Sequence, residues 1–299
     1  MMLSSPTIAI STRSKSGPKT ACTSPILFTP AMTPKRRAGS FTATPRAAVG
    51  RVPATVSQHR TRHGDPQSSR YILGMCGRFI TKTTWAEMIA LYRLTMDAPP
   101  HNMPPRYNVC PTDPVDVVRE IDGKRELSQM RWGLVPRWWS KPLKELRAAT
   151  FNARAETVET KPFFRDAFKR NRCLIPMSGY YEWQNTAGGK QPWYFTARDD
   201  SPLTAAGIWE RWKNGETGEA LLSCSMIITE PNAFVAKVHD RMPVLLTQDQ
   251  FEPWLNGDAG VEYLKPAPDD LLHKWPVSQR VNSSKAPADD ASLIEKIAA

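Results

Sequence analysis

The basic first quarter of the chain constrains the fold most, because it cannot supply a hydrophobic core. Residues 1–74 are rich in Ser, Thr, Pro, Ala and Arg, and they hold eleven Lys and Arg against one acid, Asp65. They show no sustained period of 2 or 3.6, and their apolar surface is too sparse to offset the entropy of ordering, so we predict that they are disordered. All ten tryptophans lie after residue 84. We therefore place one folded domain at residues 75–285 and a C-terminal tail at 286–299.

Most of the net positive charge lies in residues 1–74, so the basic pI does not by itself indicate a basic folded domain. The chain has 40 Lys and Arg and 29 Asp and Glu, which gives a net charge of +11 and a pI of about 9.5. Because residues 1–74 hold eleven of the bases and one acid, the other 225 residues carry 29 bases and 28 acids. A nucleic-acid surface on the folded part must therefore be a local cluster of basic groups on one face.

Cysteine and histidine usage argues against a metal centre. The five cysteines and five histidines show no CxxC pair, so we expect no metal and no cofactor. Scattered cysteines in odd number are typical of a reducing compartment. No apolar run approaches the ~20 residues of a membrane span, so no membrane partner is expected. We expect a cytoplasmic monomer, nucleoid-associated if bacterial, and residues 1–74 leave organelle import open as an alternative.

The pattern downstream of the basic segment predicts an α+β fold, with a largely antiparallel, barrel-like β-sheet core flanked by short helices. Thr84 and Glu87 form a capping-box pattern that predicts a helix to about Leu94, and Asp122-Gly123 predicts the turn of a hairpin. We expect a proline-punctuated loop at residues 99–114. The remaining predicted elements are strands within residues 172–183, 192–198, 203–212 and 221–229, and short helices at residues 162–170, 231–237 and 248–255.

Met75-Cys76-Gly77 resembles the beginning of a protein placed inside a chain. An internal cysteine is most often a small buried hydrophobe. If translation begins at Met75, removal of that methionine leaves Cys76 with a free α-amine beside its thiol. The amine, with a pKa near ~8, is partly neutral at pH 7 and can form a Schiff base with an aldehyde, after which the thiol closes a five-membered thiazolidine. A Cys76 with an acylated amine cannot do this.

Seven sequence blocks resemble, in order, those of one known family. They are Met75–Phe79 (MCGRF), Arg106–Thr112 (RYNVCPT), Arg131–Trp139 (RWGLVPRWW), Phe151–Thr157 (FNARAET), Arg172–Trp183 (RCLIPMSGYYEW), His239–Leu246 (HDRMPVLL) and Pro276–Ser284 (PVSQRVNSS). Over roughly Cys76 to Ser284 the chain is similar to the SOS response-associated peptidase (SRAP) family of abasic-site-processing proteins. The resemblance implies that the mature chain begins at Cys76. It also implies that this residue captures the ring-opened aldehyde of an abasic site in single-stranded DNA as a thiazolidine, which shields the lesion during the DNA damage response.

Four catalytic residues follow from the resemblance: Cys76, Asn152, Glu182 and His239. Asn152 would hold the sugar or the nucleophile through its amide. Glu182 stands among the aromatics of YYEW, which would desolvate its carboxyl and raise its pKa, so that it could serve as acid and base in imine formation and reversal. A neutral His239 could open the sugar ring by moving a proton between O4′ and the C1′ oxygen. Asp240 either orients His239 or caps a strand.

Six residues are predicted to contact DNA, because arginines interleaved with exposed aromatic rings are typical of single-strand platforms. They are Arg78, Arg131, Trp138, Trp139, Arg154 and Arg241. On an extended segment Arg154 would face the same side as Asn152. Trp132 is expected in the core, and Cys110, where the family more often has alanine, is expected to be a packing substitution.

Two other functions and three explanations of residues 1–74 stay open. The domain could be a non-covalent single-stranded-DNA-binding module with an inert Cys76. It could also be a cysteine peptidase that cuts its own chain before Cys76, with Glu182 or His239 as the base. Residues 1–74 could reflect a mis-assigned start codon, a transit peptide or a basic DNA-binding arm. The covalent chemistry requires that they be absent or removed.

Overall fold

The computed structural model describes residues 76–298. The predicted disorder of residues 1–74 concerns a segment outside this range. Within it, twelve strands and three short α-helices are joined by turns and 3₁₀ segments, which confirms the predicted α+β class. In the same range no helix is long and apolar enough to cross a membrane. No three His, Cys, Asp or Glu side chains of the described range cluster as metal ligands.

The elements have the following bounds. The strands are β1 Phe79–Thr81, β2 Arg106–Val109, β3 Pro114–Ile121, β4 Lys124–Trp132, β5 Asn152–Arg154, β6 Arg172–Met177, β7 Gly179–Thr186, β8 Gly189–Ala197, β9 Leu203–Lys213, β10 Ala220–Thr229, β11 Met242–Pro243 and β12 Leu272–Pro276. The α-helices are α1 Trp85–Tyr92, α2 Arg165–Arg170 and α3 Phe251–Asn256. The 3₁₀ segments are Leu143–Glu145, Ala155–Thr157, Gln248–Gln250, Val261–Tyr263, Gln279–Asn282 and Ala291–Ile294.

Five strands close into a barrel. The ladder runs from β10 through β4, β3 and β6 to β9, and β9 pairs again with β10. These pairings are antiparallel except for β4 with β10. Strand β5 joins β10 in parallel and β11 joins it antiparallel. A second sheet, in the order β12-β8-β7-β1-β2, is antiparallel throughout. The predicted barrel-like, largely antiparallel core is therefore confirmed.

Two short-range signals produce the structures that they predict. The β3–β4 hairpin turns at Asp122 and Gly123, whose φ angles of 50° and 72° fit the two-residue loop that favours Asp-Gly. Thr84 and Glu87 form a capping box at the start of α1, in which the Thr84 backbone N–H donates to Glu87 Oε2 at 2.7 Å. The helix ends earlier than predicted because Arg93 is left-handed, with φ 52°.

Three predicted elements differ from the structure. The predicted loop at residues 99–114 contains the edge strand β2, because its prolines lie outside the four residues that pair with β1. Residues 231–237 form turns instead of the predicted helix. There the side-chain oxygen of Asn232 accepts the backbone N–H of Val235 at 2.8 Å, in competition with helical hydrogen bonds. The predicted helix at residues 162–170 begins three residues later, with α2.

Trp132 lies in the core, as predicted, with 1% of its surface exposed. Its ring packs edge-on against Phe79 of β1, with ring centroids 4.8 Å apart, and against Phe151, with centroids 5.7 Å apart. The indole N–H donates to the carbonyl of Phe151 at 2.9 Å. Trp132 therefore joins the barrel to the segments that lead into β1 and β5.

Residues 286–298, which we assigned to a tail, pack against the second sheet. Leu293 is fully buried with Val277 and Val281. The backbone N–H of Tyr107 in β2 donates to the carbonyl of Ala288 at 2.6 Å. This part of the chain therefore covers apolar surface that would otherwise be exposed.

We predict that Leu293→Ala lowers the free energy of unfolding by about 2–5 kcal/mol, because it empties a buried site. Urea unfolding followed by circular dichroism measures the change. Val261→Ala is the control, since Val261 is 46% exposed and its truncation should change the free energy by less than ~0.5 kcal/mol. Equal small effects of both variants would contradict the packing of this segment.

Candidate active site

Pairing between β1 and β7 brings Cys76 alongside Glu182. Phe79 lies opposite Tyr180 of β7, two residues before Glu182. The backbone N–H of Tyr181 donates to the carbonyl of Arg78 at 3.0 Å, which carries the pairing one residue beyond β1. The chain before β1 therefore runs beside the middle of β7, and Cys76 is buried there with 2% of its surface exposed.

Asn152 fixes the backbone of Cys76. Strand β5 holds Asn152 in parallel pairing opposite Met226 of β10. Its side-chain Nδ2 donates to the carbonyl of Cys76 at 2.8 Å, and both residues are buried. A hydrogen bond shielded from water in this way resists exchange with solvent. The contact orients the peptide that follows Cys76.

Glu182 lies between Cys76 and His239. Its carboxyl is 1% exposed, and it lies close enough to Cys76 to raise the pKa of the thiol. Its Oε2 is 3.5 Å from His239 Nε2. The structure thus brings the four residues that were predicted to be catalytic into one buried cluster.

His239 has contacts on both ring nitrogens. Nδ1 lies 3.1 Å from the backbone nitrogen of Arg241 and 3.3 Å from the carbonyl oxygen of the same residue. Nε2 faces Glu182. Asp240 Oδ1 is 3.3 Å from Nδ1, but this carboxylate is 84% exposed. Its attraction for the ring is therefore weakened by solvent.

Burial is the main cause of the pKa shifts in this cluster. It raises the pKa of Glu182 to about 8. Burial, together with the charge of Glu182, raises the pKa of the Cys76 thiol well above its usual range. Burial lowers the pKa of His239, although Asp240 acts in the opposite direction. At pH 7 the carboxyl is thus mostly protonated and the imidazole neutral, so protons can move within the cluster without a buried net charge.

Two buried oxygens beside Cys76 have no hydrogen-bond partner among the described residues. They are Asn152 Oδ1 and Glu182 Oε1. Folded proteins rarely leave a buried acceptor unpaired, because the unpaired group loses its hydration without compensation. The cluster therefore has room for hydrogen-bond donors that this part of the chain does not supply.

The predicted DNA-contacting tryptophans lie at the surface. Trp138 is 47% exposed, and Trp139 is half-buried. Trp138 packs edge-on against Phe163, with ring centroids 5.4 Å apart, and at an angle to Trp139, with centroids 6.2 Å apart. These contacts hold the rings in place while leaving one exposed face.

Two of the predicted DNA-contacting arginines lie near the end of β5. Arg154 is exposed and two residues beyond Asn152. Arg241 is half-buried and forms an ion pair with Glu156. Each arginine therefore lies two residues after a member of the cluster: Arg154 after Asn152, and Arg241 after His239.

The other two predicted DNA-contacting arginines bond to the protein interior. The guanidinium of Arg78 donates to Asn108 Oδ1 at 2.8 Å and to the carbonyl of Val281 at 2.7 Å. The guanidinium of Arg131 donates to the carbonyl of Gly133. Sequence reasoning missed Asn108, which also donates to the carbonyl of Ser283 at 2.9 Å. Its place in the RYNVCPT block was the available signal. These bonds favour a structural role for both arginines, and their contact with DNA stays a prediction.

An open groove of about 680 Å³ adjoins the cluster at His239. It lies between the β7–β8 hairpin and the segment before β11. Its lining residues are Trp183, Asn185, Lys190, Pro231, Ala236, Val238, His239 and Asp240. The imidazole is thus the group of the cluster that borders this groove.

Comparison with known proteins connects this geometry to a family. Residues 75–284 match the family model described as SOS response associated peptidase (SRAP). The chain is 33% identical over 217 residues to the abasic site processing protein YoaM of Bacillus subtilis (strain 168), which covers 71% of this chain and 94% of that protein. It is 28% identical over 233 residues to the abasic site processing protein YedK of Escherichia coli (strain K12), covering 75% of this chain and 100% of that protein.

A solved structure supports the same likeness. The crystal structure of a protein from Bacteroides thetaiotaomicron matches with a TM-score of 0.67 and 26% sequence identity. The match covers 75% of this chain and 100% of that one. The barrel and the second sheet are therefore an arrangement found in a solved protein.

We predict that Glu182→Gln stabilises the fold at alkaline pH. A carboxyl whose pKa is higher in the folded than in the unfolded chain favours folding below its unfolded pKa of ~4.3, and this contribution is lost as the pH rises through the folded value of about 8. At pH 9 the variant should gain roughly 2–4 kcal/mol over the parent, and at pH 4 almost nothing. Urea unfolding across this pH range measures the difference. Glu216→Gln at an exposed position should show no such trend, and a parallel trend in both variants would contradict the prediction.

Proposed function

The chain belongs to the SOS response associated peptidase (SRAP) family, and on that premise we propose that its folded part captures abasic sites in single-stranded DNA through Cys76. The product is a covalent thiazolidine that protects the lesion. One observation carries the proposal: Cys76 is buried beside Glu182, whose carboxyl lies 3.5 Å from the imidazole of His239. The relatives are named abasic site processing proteins, which supports the same class of lesion.

The first step joins an amine to an aldehyde. His239, neutral and bordering the groove, moves a proton between O4′ and the C1′ oxygen, so that the sugar ring opens. The neutral α-amine of Cys76 then attacks C1′, the nitrogen–carbon bond forms, and the carbonyl oxygen leaves as water. Protonated Glu182 supplies a proton to that leaving oxygen. The second proton of that water comes from the amine, so a protonated Schiff base between Cys76 and C1′ results and Glu182 is left as a carboxylate.

The second step closes the ring. The Schiff-base nitrogen keeps its proton, and the Cys76 thiol gives its proton to the Glu182 carboxylate. Sulfur attacks C1′, the sulfur–carbon bond forms, and the electron pair of the double bond returns to nitrogen. Glu182 ends protonated, so it can run the same sequence backwards and release the DNA. No external reagent is consumed.

The two unpaired acceptors favour a free amine at Cys76. An α-ammonium group has three N–H donors, whereas a peptide nitrogen has one. Asn152 Oδ1 and Glu182 Oε1 are buried beside this residue without partners among residues 76–298. A free amine of Cys76 would supply the missing donors.

We also propose residues 75–285 as the functional domain, with residues 1–74 absent or removed in the reactive form. The relatives YoaM and YedK are matched over 94% and 100% of their own lengths. The described residues contain their own closed barrel and core. A domain starting at Cys76 would therefore retain all of the packing described above.

For the DNA strand we propose a path over the exposed arginine and tryptophan side chains near the cluster. Arg154 offers a phosphate contact, and Trp138 offers a ring on which a base of any identity can stack. The near-neutral charge of the domain does not oppose this, since the cations need only share one face.

We predict a heat-stable adduct between an abasic single-stranded oligonucleotide and protein processed to begin at Cys76. The adduct is detected as a shifted band on a denaturing gel. Protein that retains residues 1–75 should give none, because its Cys76 amine is acylated. Cys76→Ser should give only a Schiff base that needs borohydride trapping, and Cys110→Ser should behave as the parent.

The alternatives give different results in the same assay. DNA retention without any covalent product would replace the proposal with a non-covalent binding module. Spontaneous release of residues 1–75 from the full chain, lost in Cys76→Ser, would favour the autopeptidase.

We predict that Arg154→Ala weakens binding of an undamaged oligonucleotide and lowers the slope of log affinity against log salt by about 0.7, the value of one lost phosphate contact on a single strand. Fluorescence anisotropy across a salt series measures both. Arg211→Ala is the matched control. Arg211 is exposed and pairs with Leu222 of β10, whereas Arg154 pairs with Ile228 of the same strand. Six residues of a strand separate these two partners, so the two arginines are about 20 Å apart along β10. An equal loss in both variants would show only a general charge effect.

A further inference from the structure

Tyr180 carries a buried hydroxyl that the fold does not use. The residue is 1% exposed, and its ring stacks on Phe195 with centroids 5.0 Å apart and planes 8° apart. Its hydroxyl has no hydrogen-bond partner among the described residues. Phenylalanine would make the same stacking contact without a hydroxyl to desolvate. The oxygen therefore needs another explanation than packing.

The position of Tyr180 places it beside the reactive cluster. It precedes Glu182 by two residues on β7, so both side chains lie on the same face of the strand. It pairs directly with Phe79, three residues after Cys76. Burial, with the nearby Cys76 and Glu182, raises the pKa of Tyr180 well above its usual range. The hydroxyl thus keeps its proton and can donate it in a hydrogen bond.

The chemistry of this site needs a donor near sulfur. The thiol is buried against a carboxyl, and both features disfavour the thiolate that must form at ring closure. In the proposed reaction the Glu182 carboxylate takes the thiol proton, and the Asn152 amide faces the Cys76 carbonyl. Neither of them stabilises negative charge on sulfur once the proton has moved.

We propose that Tyr180 is a further catalytic residue for ring closure, whose O–H donates a hydrogen bond to Cys76 Sγ as the thiol loses its proton. The inference rests on the proposed function. In this step the thiol proton goes to the Glu182 carboxylate, the sulfur–C1′ bond forms, and the double-bond electron pair returns to the protonated nitrogen. The phenol proton stays on Tyr180 throughout. Its hydrogen bond lowers the barrier only while sulfur carries charge.

Tyr180→Phe tests the proposal, because it removes one oxygen and keeps the ring. In protein beginning at Cys76, the rate of Schiff-base capture, measured by borohydride trapping, should stay within about twofold of the parent. Formation of the heat-stable adduct without borohydride should slow by about tenfold or more, as expected for loss of a hydrogen bond to a charged group. The pH profile of closure should move to higher pH, because the thiolate forms less readily. The melting temperature of the full chain should equal or exceed that of the parent.

Tyr181→Phe is the matched control. Tyr181 is also fully buried, but its hydroxyl donates to the carbonyl of Tyr107 at 2.8 Å. This variant should melt at a lower temperature and close the ring at the parental rate. Tyr180→Phe should thus slow ring closure without lowering the melting temperature, and Tyr181→Phe should lower the melting temperature without slowing ring closure.

Two results would overturn the inference alone. One is parental ring closure in Tyr180→Phe, which would make the hydroxyl a tolerated defect. The other is a melting temperature that falls as it does in Tyr181→Phe, which would show that the hydroxyl serves the fold. If the parent itself forms no adduct, the proposed function fails and this inference fails with it. That outcome is distinct because it does not depend on Tyr180.

Discussion

The packing of Trp132 against two phenylalanines is the contact on which the arrangement of the site depends. Phe79 lies three residues after Cys76, and Phe151 immediately precedes Asn152. The indole N–H also holds the carbonyl of Phe151. Aromatic rings in edge-on contact have a narrow range of favourable distances and angles. One barrel side chain therefore contacts both the strand that follows Cys76 and the residue that precedes Asn152.

Burial gives this cluster its chemical character. A carboxyl, a thiol and an imidazole lie in a region of low dielectric, where each is most stable in its neutral form. Such a set favours reactions in which protons are exchanged between neighbours and disfavours those that leave an isolated charge. Imine formation followed by thiol addition is of the first kind. Within residues 76–298, one oxygen each of Asn152 and Glu182 lacks a hydrogen-bond donor, and a free amine at Cys76 would supply donors to both.

Local signals in the sequence predicted local structure well, and contacts between distant residues poorly. The capping box at Thr84 and the Asp122-Gly123 turn depend on neighbours in sequence, and both form. The interleaving of arginines with aromatic residues predicted a DNA contact for Arg78, but it could not show that the guanidinium reaches Asn108 and Val281. Periodicity likewise cannot distinguish a helix at residues 231–237 from turns that a single Asn232 side chain stabilises. The convergence of the four cluster residues came from a resemblance, since hydrophobic pattern alone does not pair β5 with β10 or β1 with β7.

The bonds of Arg78 have a consequence for the order in which this protein is made. Its guanidinium reaches a carbonyl 203 residues further along the chain, and residues 286–298 then cover the same sheet. A ribosome releases the chain from its N-terminal end, so Cys76 emerges long before the groups that fix its neighbour. Arg78 therefore cannot form its bond to the carbonyl of Val281 until synthesis is nearly complete. Closing a loop of 203 residues also costs more chain entropy than closing a shorter one.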